Sequence, residues 1–189
     1  FTIMLFPLFG GLFYIIFKVQ SSDKRYSRSA ENAAGKMAGM NRLPGDSLQR
    51  ACDEAPQCAA QMKYLQNTAQ FPVFDGSETL YLSPRKQMYE KLLEELEKAE
   101  RYIFLEFFIL QEGKMWNGIL EILKRKAAEG VKVRLIYDDV GCFLKLPQGY
   151  DKLLRRYGIE CIVFNPFRPV LTSLQNNRDH RKIAVIDGV

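Results

Sequence analysis

The stretch Tyr102–Leu110, YIFLEFFIL, is apolar everywhere except Glu106. So continuous a run over so few residues reads as a strand covered on both faces. Around it the pattern changes period. Upstream, Arg85–Arg101 reads as a helix: Met88, Leu92, Leu96 and Ala99 form one stripe with Leu93 beside it, and Lys91, Glu94, Glu95, Glu97 and Lys98 cover the outer face. Downstream, Trp116, Ile119, Leu120, Leu123 and Ala127 recur at helical spacing, with Gly130 as the C-cap. VKVRLIYDD (131–139) is a second strand. Tyr150, Leu153, Leu154 and Tyr157 mark a third helix, closed by Gly158. IECIVFNP (159–166) and KIAVIDG (182–188) are further strands. Before the first helix, FPVFDGSETLYLS (71–83) suggests a short strand, a turn at Asp75-Gly76 and a second strand. Helices alternating with apolar strands imply an α/β domain over residues 71–189 with a mostly parallel sheet. That sheet reads as unfinished, because the sequence stops at Val189 just after a strand and its turn.

The other end differs in kind. Phe1–Phe17, FTIMLFPLFGGLFYIIF, has no charged residue, and Lys18 ends the run. Seventeen helical residues rise about 25 Å, a little short of a hydrocarbon core of about 30 Å. A sequence opening on Phe reads as a fragment, so the missing turn is expected upstream. The run has neither a basic leader nor a small-residue cleavage site, which argues against a signal peptide. It also lacks the polar face of a helix packed on a core. Residues 1–19 are therefore expected to form a transmembrane helix. Lys18 to Arg50 carries seven basic and three acidic residues, a net +4 out of +5 for the whole chain. By the positive-inside rule this side is cytoplasmic, and its charge suits an anionic lipid surface. Residues 20–70, rich in Ser, Ala, Asn, Gln and charge, read as a juxtamembrane connector with one or two short helices, one starting at Asp46 or Ser47.

Four cysteines, Cys52, Cys58, Cys142 and Cys161, form no CxxC pair, and one histidine does not complete a usual zinc set. Cys142 and Cys161 stand in apolar surroundings and read as packing residues. On the cytoplasmic side all four are expected as free thiols; Cys52 and Cys58 would pair only with the topology inverted.

The sole histidine, His180, precedes Lys182 by two residues in RDHRKIAVIDG (178–188). Residues two apart on a strand share a face. A neutral imidazole is a competent nucleophile, and an ammonium beside it holds a phosphate oxygen. Asp187 falls an odd number of positions away, so it braces the turn at Gly188 rather than touching the imidazole. Taken by itself, a histidine beside a strand is more often structural than catalytic.

The spacing His180-x-Lys182-x4-Asp187, followed by Gly188, resembles the first HxKxxxxD motif of the phospholipase D superfamily. NNRDHRKIAVIDG, VKVRLIYDDVG, GIECIVFNP and YIFLEFFIL, in their order after an apolar N-terminus, resemble the bacterial cardiolipin synthase branch. The resemblance covers residues 71–189 closely and residues 1–19 in type. It implies the first half of a phospholipase D-like domain behind a transmembrane helix, with a second such half in the full-length chain. It also implies phosphatidyl transfer at the cell membrane without a metal or other cofactor. One phosphatidylglycerol gives a phosphohistidine-type intermediate and glycerol; a second, through its free hydroxyl, gives cardiolipin. On this resemblance His180 is the nucleophile or its paired acid/base, Lys182 clamps phosphate and Asp187 supports the motif. Asn176 and Arg178 match the family's flanking pattern as candidate phosphate contacts. The partners implied are phosphatidylglycerol, other anionic phospholipids and the membrane, not nucleic acid.

The sequence departs from the family in carrying one motif, so no second histidine serves as leaving-group acid. General acid help is typically about 100- to 10,000-fold, and the chain alone is expected to be inactive unless it dimerises. Asp138 and Asp139 end a strand, where magnesium is conceivable, but a helix cap or structural hydrogen bond is the simpler role. Glu106 among Phe and Leu needs a partner, which is either a group it orients or an arginine or backbone. FRPVLTSLQ (167–175) reads as a partly apolar loop that meets lipid or covers core. A phospholipase D-type phosphodiesterase or nuclease of the same superfamily, and a non-catalytic membrane-anchored binding protein, are the competing functions. The apolar N-terminus favours a lipid enzyme over a soluble nuclease. A second HxKxxxxD beyond Val189 would favour the enzyme readings.

Overall fold

The computed structural model of the chain describes residues 7–20, 32, 35, 46–68, 71–74, 77–167 and 178–188. It divides into two compact units, Phe1–Ser21 with Leu82–Val189, and Ser22–Tyr81. In the smaller unit Ser47–Glu54 is helical with Asp46 at its N-cap, a 3-10 turn covers Pro56–Cys58, and Ala59–Asn67 is helical again. The expected strands within residues 71–83 are absent among the described residues, and Asp75-Gly76 lies outside them. The amides there are spent locally. Phe71 N donates to Leu65 O at 3.0 Å, and Val73 N donates to Gln66 Oε1 at 3.4 Å. An isolated hairpin is marginal in water, and the preceding helix end outcompetes it.

In the larger unit the elements are α1 (Pro7–Gln20), α2 (Arg85–Lys98), β1 (Tyr102–Phe107), α3 (Lys114–Ala128), β2 (Lys132–Asp138), α4 (Asp139–Cys142), α5 (Tyr150–Arg156), β3 (Glu160–Phe164) and β4 (Lys182–Ile186). Helix α1 has 14 residues, about 21 Å of rise. Among the described residues no helix is long and apolar enough to cross a membrane.

The four strands lie in the order β3-β2-β1-β4. β1, β2 and β3 are parallel, each joined to the next through a helix, while β4 runs antiparallel to β1. Ile103 and Leu105 of β1, Val133, Leu135 and Tyr137 of β2 and Cys161 of β3 bury one face of the sheet. Leu96 of α2, Trp116, Ile119 and Leu123 of α3 and Leu154 of α5 complete that core. Polar ties fix the helices. Trp116 Nε1 donates to Tyr150 Oη at 2.7 Å, and Lys126 Nζ satisfies the Ala99 carbonyl at 2.9 Å. Gly130 at φ 94° closes α3, as expected of the residue after a helix end.

The expectation that β1 is covered on both faces needs correction. Tyr102, Phe104 and Glu106 alternate onto the opposite face and are only half-buried. There Arg134 pairs with Glu160 at 2.7 Å, and its guanidinium lies 5.2 Å from the centre of the Phe104 ring. The aromatic and β-branched residues that make the run look doubly buried are partly covered by long charged side chains instead.

All four cysteines are free thiols. Burial pushes the Cys161 thiol up to about 12, and burial also raises Cys142. Cys58 alone of the four is not buried. Brief iodoacetamide treatment at pH 8 is therefore expected to alkylate Cys58 first and Cys161 only after unfolding. Peptide mass spectrometry reads the order, and native-state labelling of Cys161 at the rate of Cys58 would contradict the buried β3.

Candidate active site

Because β4 runs against its neighbours, its first residue faces the last residue of β1: Lys182 pairs with Phe107, and Ile186 with Ile103. The start of the RDHRK segment thus lies at the edge where the parallel strands end, which is where open α/β sheets bind ligands. His180 and Lys182 are both exposed there. They share a support that sequence reasoning missed, the ring of Phe108. The imidazole meets it edge-on at 4.7 Å between centres, and Lys182 Nζ lies 5.3 Å from its centre. Lys182 Nζ also donates to the His180 carbonyl at 2.8 Å. An imidazole and an ammonium on one apolar platform, open to solvent, can receive a phosphodiester between them.

The segment leading to His180 is tied down from below by Asp138, which is fully buried at the end of β2. Its carboxylate accepts from Gly141 N at 2.9 Å, capping α4, from Asp179 N at 3.1 Å and from Arg178 Nη1 at 3.2 Å. Arg178 Nη2 donates to the Asn165 carbonyl at 2.9 Å. Arg178 is therefore held inward as an anchor of this segment, its guanidinium on Asp138 and the Asn165 carbonyl. The neighbouring Asp139 accepts from Phe167 N at 2.6 Å. Asp138 and Asp139 thus serve as a helix cap and as structural hydrogen-bond acceptors, the simpler role expected of them. Asn176 lies outside the described residues.

Glu106 finds an arginine, one of the partners expected. Arg181 Nη2 lies 2.6 Å from Glu106 Oε1, and Arg181 Nε donates to Asp179 Oδ1 at 3.0 Å. Burial pushes the Glu106 carboxyl above its usual range, and the hydrogen bond with Asp179 adds to this. Burial works against the charge of Asp179 too, but hydrogen bonds from Glu106 and Arg181 hold its carboxyl below the usual range. Of the two carboxyls, Glu106 is thus the one that takes up a proton more readily as pH falls. Asp179 was not singled out from sequence, although its place beside the only histidine was a signal.

Asp187 is far from this chemistry. Seven residues from His180 along an extended chain is roughly 20 Å, at the opposite edge of the sheet. Its carboxylate accepts from the amides of Glu100 at 2.8 Å, Arg101 at 2.9 Å and Tyr102 at 2.7 Å. Its own amide donates to Tyr102 O at 3.0 Å. The backbone at φ 53° is left-handed, which aspartate tolerates better than most residues. The amides of Glu100 and Tyr102 hold its carboxyl below the ordinary range. A group depressed in the folded state stabilises above its unfolded value and loses that contribution as pH falls through the folded one. Asp187→Ala is accordingly expected to lower the thermal midpoint at pH 7, with the gap from the parent closing on acidification below pH 4. Thermal melts across that range check it, and a gap constant with pH would contradict the bracket.

No family profile matches the chain. A cardiolipin synthase of Alkalihalophilus pseudofirmus is 36% identical over 189 residues, covering 97% of this chain and 37% of that protein. A cardiolipin synthase of Geobacillus kaustophilus is 34% identical over 185 residues, covering 97% and 36%. An uncharacterised protein of Streptococcus mutans is 34% identical over 187 residues, covering 99% and 41%. The chain is a relative of the bacterial cardiolipin synthases. It spans 36% to 41% of the length of these curated relatives.

Proposed function

We propose that the full-length protein carrying this chain is a membrane-bound phosphatidyltransferase that makes cardiolipin and glycerol from two phosphatidylglycerol molecules. In the first step a histidine nitrogen attacks phosphorus, the bond from phosphorus to the glycerol oxygen breaks, and glycerol leaves with a proton. In the second, the free hydroxyl of another phosphatidylglycerol attacks, loses its proton and displaces the histidine. His180 is the nucleophile of this sequence or the acid/base paired with it. Lys182 offsets the charge that grows on the phosphoryl oxygens. Asp187 supports the motif from the far edge by fixing β4 to β1, and Arg178 through its anchoring of the segment before His180. Asn176, upstream of the motif, is assigned a phosphate contact on the family's flanking pattern alone. The apolar N-terminus and the +4 segment after it support membrane attachment with the α/β unit on the cytoplasmic side.

The observation that carries this reading is the exposed His180–Lys182 pair on the Phe108 platform. Its test is incubation of the full-length protein with phosphatidylglycerol vesicles, with cardiolipin and glycerol measured by mass spectrometry. Cardiolipin with an equivalent of glycerol is expected. Phosphatidic acid in its place would make the protein a hydrolase, and no lipid product would leave a binding protein.

A further inference from the structure

The short helix α4 and the turn after it carry apolar side chains on two opposite sides. The inner side is filled. Gly141 lies so close to Phe108 that an added Cβ would come 2.1 Å from its carbonyl oxygen. The sulfur of Cys142 accepts the Leu110 amide at 3.1 Å. Val140, Phe143 and Leu144, spaced i, i+3 and i+4, share the outer side. There Phe143 is 60% and Leu144 91% exposed. Phe167 joins them, its ring centre 5.7 Å from that of Phe143. A contiguous exposed apolar tip of this kind marks a contact surface.

Two observations identify the partner. The first is charge. The nearby carboxylates are already engaged, Asp138 buried against Arg178 and Asp139 by the Phe167 amide. The cations face outward: Lys145 follows the tip and reaches only the neutral Gln111, and Lys182 stands exposed. An apolar tip collared by ammonium groups matches the boundary between acyl chains and anionic phosphates. The second is continuity. Phe108 carries α4 on one side and the His180–Lys182 pair on the other, so tip and pair belong to one edge of the sheet.

We propose that Val140, Phe143, Leu144 and Phe167 form a tip that inserts into an anionic phospholipid bilayer and sets His180 and Lys182 at the level of the phosphates. The inference rests on the phospholipid reading of the site, and it adds how the substrate is reached. Insertion at the tip is separate from attachment through the N-terminus, so it requires a local probe.

That probe is Leu144→Trp in the full-length protein, read as the difference from the parent, whose Trp116 is buried and bonded to Tyr150. With phosphatidylglycerol vesicles the added emission is expected to shift to the blue and to be quenched about twofold or more by lipids brominated on the acyl chains, because an interfacial apolar side chain sits at that boundary. Phe143→Ser with Leu144→Ser is expected to lower turnover on vesicles about tenfold more than turnover on dispersed short-chain lipid, as follows from removing two large apolar contacts. Unshifted, unquenched emission from a preparation that makes cardiolipin would overturn the tip and leave the transferase standing. Emission already blue before lipid is added would overturn it as well, since another part of the protein or a second copy then covers Leu144. Quenched emission without cardiolipin would support the tip and remove the transferase.

Discussion

Full-length protein carrying His180→Ala is expected to form cardiolipin at least about 100- to 10,000-fold more slowly than the parent, the range for loss of a positioned proton-transfer group, with more lost if His180 is the nucleophile. The loss should come without unfolding. His180 is exposed, and its ring contact is the edge of Phe108. A substitution at such a position normally shifts stability by less than about 0.5 kcal/mol. Urea unfolding followed at Trp116 alongside the product assay separates the two effects. Retained cardiolipin formation in a folded His180→Ala protein would remove the histidine from the mechanism and the proposed function with it.

Asp138→Ala is expected to act in the opposite way, through the fold. It deletes the acceptor for Gly141, Asp179 and Arg178 at one stroke and leaves the Arg178 guanidinium largely buried without its counter-charge. Breaking a buried charge pair from one side typically costs about 3 to 5 kcal/mol. Asp138→Asn keeps an oxygen of the same size and should cost less, because the hydrogen bonds to neutral amides survive in part. Urea midpoints of the two variants check the order. A loss in Asp138→Ala below about 1 kcal/mol, the ordinary size of a point substitution, would contradict the anchoring role.

The parallel part of the sheet was legible because each of its strands is preceded by a helix with an apolar stripe, as at Met88 to Leu96 before β1 and Trp116 to Leu123 before β2. The antiparallel sense of β4 was not, since no helical pattern intervenes between Phe164 and Lys182 to dictate a crossover. Sequence put His180 and Lys182 side by side through strand alternation; in the fold His180 stands before β4, and the two meet at the Phe108 ring. Alternation gave no help with Arg178, which stands before β4 begins, and its guanidinium turns to Asp138, 40 residues earlier in sequence. The cluster of Glu106, Asp179 and Arg181 was equally opaque in its details, for it is made by the register between β1 and β4. Sequence showed that Glu106 needed a partner; only the fold chooses which.

One consequence of β4 lies in its length. Lys182 opens the strand against Phe107, and Asp187 closes it against the amides that begin β1. The interval between them is thus a ruler cut to the depth of the sheet. Deleting Ala184 would either pull Asp187 short of Tyr102 or swing Lys182 to the wrong side of the strand, since a one-residue slip exchanges the faces. No local adjustment serves both ends. The fixed count of residues in the motif is in this sense a measurement of architecture, with the chemistry confined to one end of it.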